Sequence, residues 1–375
     1  MFTLIKNVHV YAPKYLGKRD ILICGDKIVK VDSDINCSEA RVIENKEDYY
    51  VIPGIIDQHV HITVGGGEGG FHTRTPEAKV DDLVKAGITT VVGVLGTDAL
   101  TQSIERLLGK VKALRQRGFT AYCLTGAYKY PSPTFTGRVD KDIAFIDEII
   151  GLKLALADHR SSHITKEEFI RLASEVRVAS MLGNKCGIIT LHMGDEHQGL
   201  QLVFTIVKET DIPIRHFVPT HVTRNERLFN EALRFLEIGG NIDITVDEKE
   251  HLIDYISRID PRYYSHVTFS SDGNGSFPKY DVGGNLTEIG IQSCDGIIKG
   301  IITLIKNGYS IEEALQFGTT NVSNLLQLSN KGSIKVGNDA DLVILDKDFT
   351  IDTVISRGKV MMENKMLIRG DYIGL

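Results

Sequence analysis

Cysteine is scarce in this chain and scattered: Cys24, Cys37, Cys123, Cys186 and Cys294 among 375 residues. They form no CxxC pair and are odd in number, which excludes a disulfide framework and fits a reducing compartment. A basic excess is absent as well. The 43 Lys and Arg against 49 Asp and Glu leave a net charge of -6 and a pI near 6.1. That balance offers no footprint for nucleic acid. No apolar run approaches membrane-spanning length. The opening MFTLIKNVHVYAP is too short and too interrupted for a signal peptide. Internal repeats and low-complexity segments are also missing. These absences predict a cytoplasmic protein that binds neither nucleic acid nor membrane.

What remains is an ordinary globular composition, 42% hydrophobic and 25% charged, in a chain long enough for one large domain and one small one. Both ends are strand-rich. Phe2–Tyr11 alternates, and Asp20–Cys24 and Lys27–Val31 are split by the turn Gly25-Asp26. Arg41–Ile43 follows, and Asp341–Leu345, Thr353–Ser356 and Val360–Met362 repeat the pattern near the C-terminus. The middle alternates instead. Apolar runs after Ile55–His61 recur at Ile88–Gly96, Thr120–Ala127, Gly151–Ala157, Gly187–His192, His216–His221, Asn241–Val246 and His266–Ser270. Helical patterns lie between them at Asp98–Arg117, Thr165–Leu182, Arg224–Ile238 and Glu248–Ser257, and Thr165 with Glu168 makes a capping box. Eight βα units predict an α/β fold, a (β/α)8 TIM-type barrel over 53–334. Residues 1–52 and 335–375 predict a small β-sandwich built from both chain ends.

The densest stretch is VIPGIIDQHVHI, Val51–Ile62. On a strand, residues two apart share a face, so Asp57, His59 and His61 point the same way. Two neutral imidazoles at a strand end can grip a transition metal. A barrel carries its chemistry at the C-terminal ends of its strands, and polar residues do gather there. Strand one ends in His59 and His61, strand three in Tyr128, and strand four carries Lys153. Strand five ends in His192, strand six in His221, and strand eight in Asp272 within FSSDGNGS. Taken singly, each has an ordinary structural role: a core histidine, a snorkelling lysine, a turn. Their joint placement at one rim is the signal.

Four histidines, an aspartate and a lysine form the ligand set of a two-metal hydrolase if the lysine can bridge. Burial lowers a lysine pKa and favours the neutral amine, which can take up carbon dioxide to become a carboxylate-like carbamate. Two ions about 3.5–4 Å apart can hold a hydroxide that is nucleophilic at neutral pH and can polarise a carbonyl. Asp272 could then accept the proton and return it to a leaving amine.

PGxxDxHxH at Pro53–His61, followed in order by Lys153, His192, His221 and Asp272, resembles the amidohydrolase superfamily. KGSIKVGNDADLVILD at Lys331–Asp346 extends the resemblance over nearly the whole chain. Within the superfamily the chain looks most like the β-aspartyl (isoaspartyl) dipeptidases. The residues that carry this are Gly65-Gly66-Gly67-Glu68, TGAY (Thr125–Tyr128), ADHRSSH (Ala157–His163), PTHVTRN (Pro219–Asn225) and SSDGNGS (Ser270–Ser276). The resemblance implies two zinc ions per chain, His59, His61 and Asp272 on one and His192 and His221 on the other. Lys153 is then the carbamylated bridge, and Tyr128 donates its O–H to the developing oxyanion. It also implies a homo-oligomer and a role in clearing isoaspartyl dipeptides left by degradation of damaged proteins.

The loops suit such a small dipeptide, which carries one ammonium and two carboxylates. Glu68, on its glycine loop, can hold the ammonium. Arg160 and Arg224 offer forked carboxylate recognition, and Thr97 and Ser276 are further polar contacts. His9, His72, His159, His163, His197, His216, His251 and His266 read as structural, with His72, His159 and His163 near site loops. Two other classes share the scaffold. One is a cyclic-amide hydrolase of the dihydroorotase or hydantoinase type, or a sugar deacetylase. The other is a non-catalytic relative, which should have lost metal ligands that this chain keeps.

Overall fold

The computed structural model describes residues 2–44, 48–246, 249–281, 283 and 285–372. In chain order the strands of the first part are β1 (Phe2–Tyr11), β2 (Tyr15–Cys24), β3 (Lys27–Asp32), β4 (Ala40–Glu44) and β5 (Tyr50–Pro53). The alternating middle contributes β6 (Ile55–Val60), β7 (Ile88–Gly93), β8 (Thr120–Gly126), β9 (Ile149–Leu156), β10 (Ile188–Met193), β11 (Phe217–Thr220), β12 (Ile242–Thr245) and β13 (Val267–Ser270). A hairpin follows, β14 (Ser276–Tyr280) and β15 (Leu286–Ile291). The last strands are β16 (Leu342–Leu345), β17 (Ile351–Ser356), β18 (Lys359–Glu363) and β19 (Met366–Leu367).

The middle strands β6 to β11 form one parallel sheet, in sequence order, and β12 and β13 form a parallel pair. Residues in β6, β7, β9, β10, β11, β12 and β13 are buried throughout. That is the signature of strands covered on both faces, and it explains why they read as continuous apolar runs rather than alternating ones. Where the ladder is interrupted, side chains take over. Asp243 of β12 accepts from Thr220 of β11 at 2.7 Å, from Gln58 of β6 at 2.7 Å, and from Thr268 and Ser270 of β13 at 2.9 and 2.6 Å. Burial pushes this carboxyl up, and the surrounding donors oppose that rise. On the other side, a bridge joins Val60 to Gly273, and His61 N–H donates to Gly273 C=O at 2.9 Å.

The helices cover the sheet. After α1 (Val80–Lys85) come α2 (Ile104–Arg117), α3 (Val139–Phe145), α4 (Lys166–Gly183), α5 (Gln201–Glu209), α6 (Glu226–Glu237) and α7 (Lys249–Ser257). Then follow α8 (Gly296–Lys306), α9 (Ile311–Gln316) and α10 (Thr320–Leu325). The predicted capping box is present at α4, where Thr165 accepts from Glu168 N–H and Glu168 reaches back to Thr165 N–H. The predicted helix from Asp98 starts instead at Ile104, behind the Ser103 cap. Asp98 accepts from the backbone N–H groups of Leu100 and Thr101, a local turn that competes with helix formation. Similarly, α6 starts at Glu226 behind the Asn225 cap rather than at Arg224. The predicted start at Glu248 lies outside the described residues.

Strands from both chain ends share one sheet. Its order is β19-β18-β17-β16-β5-β1-β2-β3, with β4 parallel to β1. The join is β5 on β16, Val51 opposite Ile344 and Ile52 opposite Val343. Among the described residues this is a single nine-stranded sheet, and its inner face packs Ile5, Val10, Ile21, Ile23, Leu342 and Ile355 into a second core.

Candidate active site

A cavity of about 610 Å³ is lined by residues that follow the parallel strands. His61, Glu68, Thr97, Tyr128, Arg160, His192, His221, Arg224, Asp272 and Ser276 all reach it. His59 and Lys153 lie just beneath. Lys153 Nζ is 2.9 Å from His59 Nε2, which is 3.4 Å from Asp272 Oδ1; His61 Nε2 is 3.2 Å from the same oxygen. The sequence therefore predicted a set that the fold does bring together.

The backbone is bent to achieve this. His221, Asp272, Asn274 and Ala157 take φ of 59°, 50°, 60° and 51°, a left-handed region that costs non-glycine residues energy and persists where surroundings impose it. At Asp272 the supports are visible. Ser271 Oγ donates to Asp57, and Asn274 Nδ2 donates to His61 C=O and Pro76 C=O at 2.8 and 2.7 Å. Gly96 is required by close approach, since a Cβ there would sit 2.8 Å from His61 Cε1.

The donor set fits a metal. Asp272 Oδ1 and His221 Nε2 are buried without hydrogen-bond partners, and His59 and His61 turn Nε2 toward the same Asp272 oxygen. Ligands each about 2 Å from one tetrahedral ion stand a little over 3 Å apart, which matches the Asp272 spacings. His59, His221 and Asp272 place ligand atoms within 4.8 Å of one another. This trio cuts across the expected partition, which put His221 with His192. Burial holds His59, His192 and His221 well below the usual histidine range, so they are neutral, the form that binds metal. Thr245 Oγ1 lies 2.7 Å from His221 Nδ1 and leaves Nε2 to face the cavity.

Lys153 is fully buried, and burial brings its pKa down to about 7. No carboxylate lies within ion-pairing distance of it among the described residues. A neutral amine is thus available at physiological pH, as a carbamate requires.

His192 is placed differently from the other three. Its Nδ1 is 2.7 Å from the Tyr128 hydroxyl, and its Nε2 is 3.0 Å from Asp158 and 3.1 Å from Arg160. Tyr128 has its pKa raised by burial and keeps its proton. Asp158 is the residue that sequence reasoning missed. It is buried, which raises a carboxyl pKa, yet bonds from Arg160 and His192 hold it well below the carboxylate range. It grips Arg160 with both oxygens, at 2.9 and 2.8 Å. The available signal was its position at the end of β9, two residues before Arg160. His251 and His159, read as structural, line the cavity.

Glu68 organises the polar wall. Its Oε1 accepts from Arg160 Nη1 at 3.1 Å, Thr97 Oγ1 at 3.2 Å and Ser276 Oγ at 3.0 Å, while Oε2 is buried and unpartnered. Arg224 is less engaged: its ion-pair partner is Asp195, 3.8 Å away and 70% exposed.

Residues 50–361 match the family model described as the amidohydrolase family. The chain is similar to the crystallised β-aspartyl dipeptidase of Fervidobacterium islandicum AW-1, bound there to a β-Asp-Leu dipeptide. Identity is 38%, covering 98% of this chain and 97% of that one, with a TM-score of 0.93. It shares its fold with the dihydropyrimidinase of Brevibacillus agri, at 18% identity over 98% of this chain and 96% of that one, TM-score 0.68. Dihydroorotase of Staphylococcus epidermidis is 32% identical over 115 residues, covering 30% of this chain. That match spans only 25% of the dihydroorotase.

Proposed function

Because the chain belongs to the amidohydrolase family, we propose that it hydrolyses the β-aspartyl isopeptide bond of isoaspartyl dipeptides, with two zinc ions as cofactors. The observation that carries this reading is Glu68. One oxygen is saturated by Arg160, Thr97 and Ser276, and the other is buried with no donor. A buried unpaired carboxylate oxygen is costly; a substrate α-ammonium would satisfy it. Arg160 and Arg224 would meet the two carboxylates.

His59, His61, His192, His221 and Asp272 would hold the ions, with carbamylated Lys153 as a further ligand: its neutral amine would attack carbon dioxide, the N–C bond forming as one C=O π bond opens onto oxygen and one proton leaves the nitrogen. When bound, the ions would supply a hydroxide nucleophile and polarise the amide carbonyl. Asp272 takes the proton of the attacking oxygen and delivers it to the leaving nitrogen. Tyr128 would turn its O–H from His192 Nδ1 to the carbonyl oxygen as negative charge develops there.

A cyclic-amide hydrolase is the second reading, favoured only by the short dihydroorotase match. Amine release from β-Asp-Leu and α-Asp-Leu, before and after chelation, separates the two. Cleavage of the β-linked peptide alone, lost with the metal and restored by zinc, is the expected result. If metal-loaded protein cleaves neither, the dipeptidase reading is wrong and cyclic amides are next.

The same reading extends to the architecture. We take β6 to β13 to close as a (β/α)8 barrel over 53–334, supported by the Val60–Gly273 bridge and the Asp243 bonds. The sheet shared by both chain ends would be the small β-sandwich of 1–52 and 335–375. No helix among the described residues is long and apolar enough to cross a membrane. A cytoplasmic homo-oligomer is the assembly we propose, and sedimentation would measure its size.

A further inference from the structure

Asp158, two residues beyond β9, is a carboxylate that touches a histidine on one side and an arginine on the other. It is only 2% exposed, and both of its oxygens are engaged. Oδ1 accepts from the backbone N–H and from Nε of Arg160, at 2.8 and 2.9 Å. Oδ2 accepts from Arg160 Nη2 at 2.8 Å and lies 3.0 Å from His192 Nε2. The chain is shaped to put the carboxylate there. Ala157, just before it, takes the left-handed φ of 51°, which costs a non-glycine residue energy. Facing it after β10, Gly194 has no room for a side chain: a Cβ would stand 2.4 Å from Asp158 Cα and 2.5 Å from its Cβ.

Hydrogen counting then fixes His192. A carboxylate ion-paired with arginine only accepts, so the single proton of the neutral ring belongs on Nε2, aimed at Asp158. Arg160 Nη2 lies 3.1 Å from the same nitrogen, but as a second donor it shares Oδ2 instead. Nδ1 keeps the lone pair and accepts from the Tyr128 hydroxyl at 2.7 Å. On the other side, Asp158 takes up Nε and Nη2 of Arg160 and leaves Nη1 to reach Glu68 at 3.1 Å.

We propose that Asp158 is a positioning residue with two arms: it holds His192 in the tautomer whose Nδ1 lone pair is available to a metal ion, and it sets Arg160 at the angle from which Nη1 meets the substrate. The Arg160 arm rests on the dipeptidase reading; the His192 arm rests on the metal site alone. A carboxylate behind a ligating histidine fixes the ring and its tautomer, and losing it lowers metal affinity about tenfold to a hundredfold. A tethered guanidinium is oriented before the substrate arrives, so less freedom is lost on binding.

The test is Asp158→Ala, read by zinc competition against a chromophoric chelator and by kinetics of the zinc-loaded protein on β-Asp-Leu. Zinc affinity should fall about tenfold or more, and KM at saturating zinc should rise several-fold. Asp158→Asn keeps the volume but sets an N–H against the donors, and it should lose zinc affinity in the same direction. Melting curves of the metal-free variants check that each folds. Arg160→Met separates the arms: it leaves Asp158 to His192 alone, so KM should rise while zinc affinity stays at or above wild type. Unchanged zinc affinity in both Asp158 variants would overturn the proposal. An equal loss of zinc affinity in Arg160→Met would also overturn it, because the arginine and not the carboxylate would then set His192. If zinc-loaded wild type cleaves neither β-Asp-Leu nor α-Asp-Leu, the dipeptidase reading and the Arg160 arm fall together, and the zinc comparison alone decides the His192 arm.

Discussion

Among the described residues two lysines, Lys331 and Lys153, are buried, and they are treated in opposite ways. Lys331, 6% exposed, lies where the C-terminal strands meet the parallel sheet. Its ammonium is 2.7 Å from Asp339, bonds Asp341, and donates to Thr120 Oγ1 at 2.6 Å. Asp339 in turn holds Lys27 and Asn330. Lys153, with no exposure at all, has His59 at 2.9 Å and no carboxylate within ion-pairing distance among the described residues. The first lysine is a fastening whose charge is matched on every side. The second is left short of partners, and burial brings its pKa down to about 7, so that the neutral amine is well populated at physiological pH. An unmatched buried cation is a poor way to stabilise a fold and a good way to keep a reactive amine.

Substitution should separate the two roles. Lys153→Met removes the amine and keeps the volume, so kcat/KM for β-Asp-Leu should fall by roughly 10³-fold or more, the scale of losing a preorganised electrostatic group. Urea unfolding of the metal-free variant should show a midpoint equal to or above wild type, since no ion pair is broken. A marked loss of stability would erase the contrast.

Lys331→Met should do the reverse. It leaves the buried Asp341 without its cation, while Asp339 keeps Lys27 and Asn330, and removing one partner of a buried pair costs about 3–5 kcal/mol. Denaturant titration should register that loss, while kcat/KM of the folded fraction stays within about twofold of wild type. A large drop in turnover would mean that the fastening reaches the active site.

Arg224→Ala probes the site without touching either lysine. Its expected cost is about 2–3 kcal/mol of transition-state binding, the worth of a charged hydrogen-bonded contact, seen as a raised KM and a lowered kcat/KM. Wild-type kinetics would take Arg224 out of the site. The smallest effect belongs to Thr165→Ala, which removes one side of the α4 capping box and should cost about 1 kcal/mol in stability at unchanged kcat/KM. It calibrates what an ordinary local interaction contributes beside the two lysines.

What the sequence determined by itself is everything with a short period. The H-x-H alternation put His59 and His61 on one face because strand side chains repeat every two residues. Buried parallel strands announced themselves as apolar runs, and Thr165 with Glu168 announced the start of α4. The polar residues ending those runs were legible because they break them. Where a turn competed with a helix, as at Asp98, the boundary moved. Resemblance added roles that periodicity could not assign to Glu68, Arg160 and Arg224.

Only the tertiary structure decided what those residues touch. Ser271 meets Asp57 across 214 positions and Gln58 meets Asp243 across 185, and no local pattern encodes either contact. Asp158 is ordinary in the sequence and becomes the carboxylate that holds Arg160 and His192 together. In the sequence Lys153 stands between Leu152 and Leu154 and Lys331 between Asn330 and Gly332, and neither context names a charge partner. Their difference lies in which carboxylates the closed fold brings within reach: charge pairing decays within a few ångströms, while the partners are set by strands far apart in the chain.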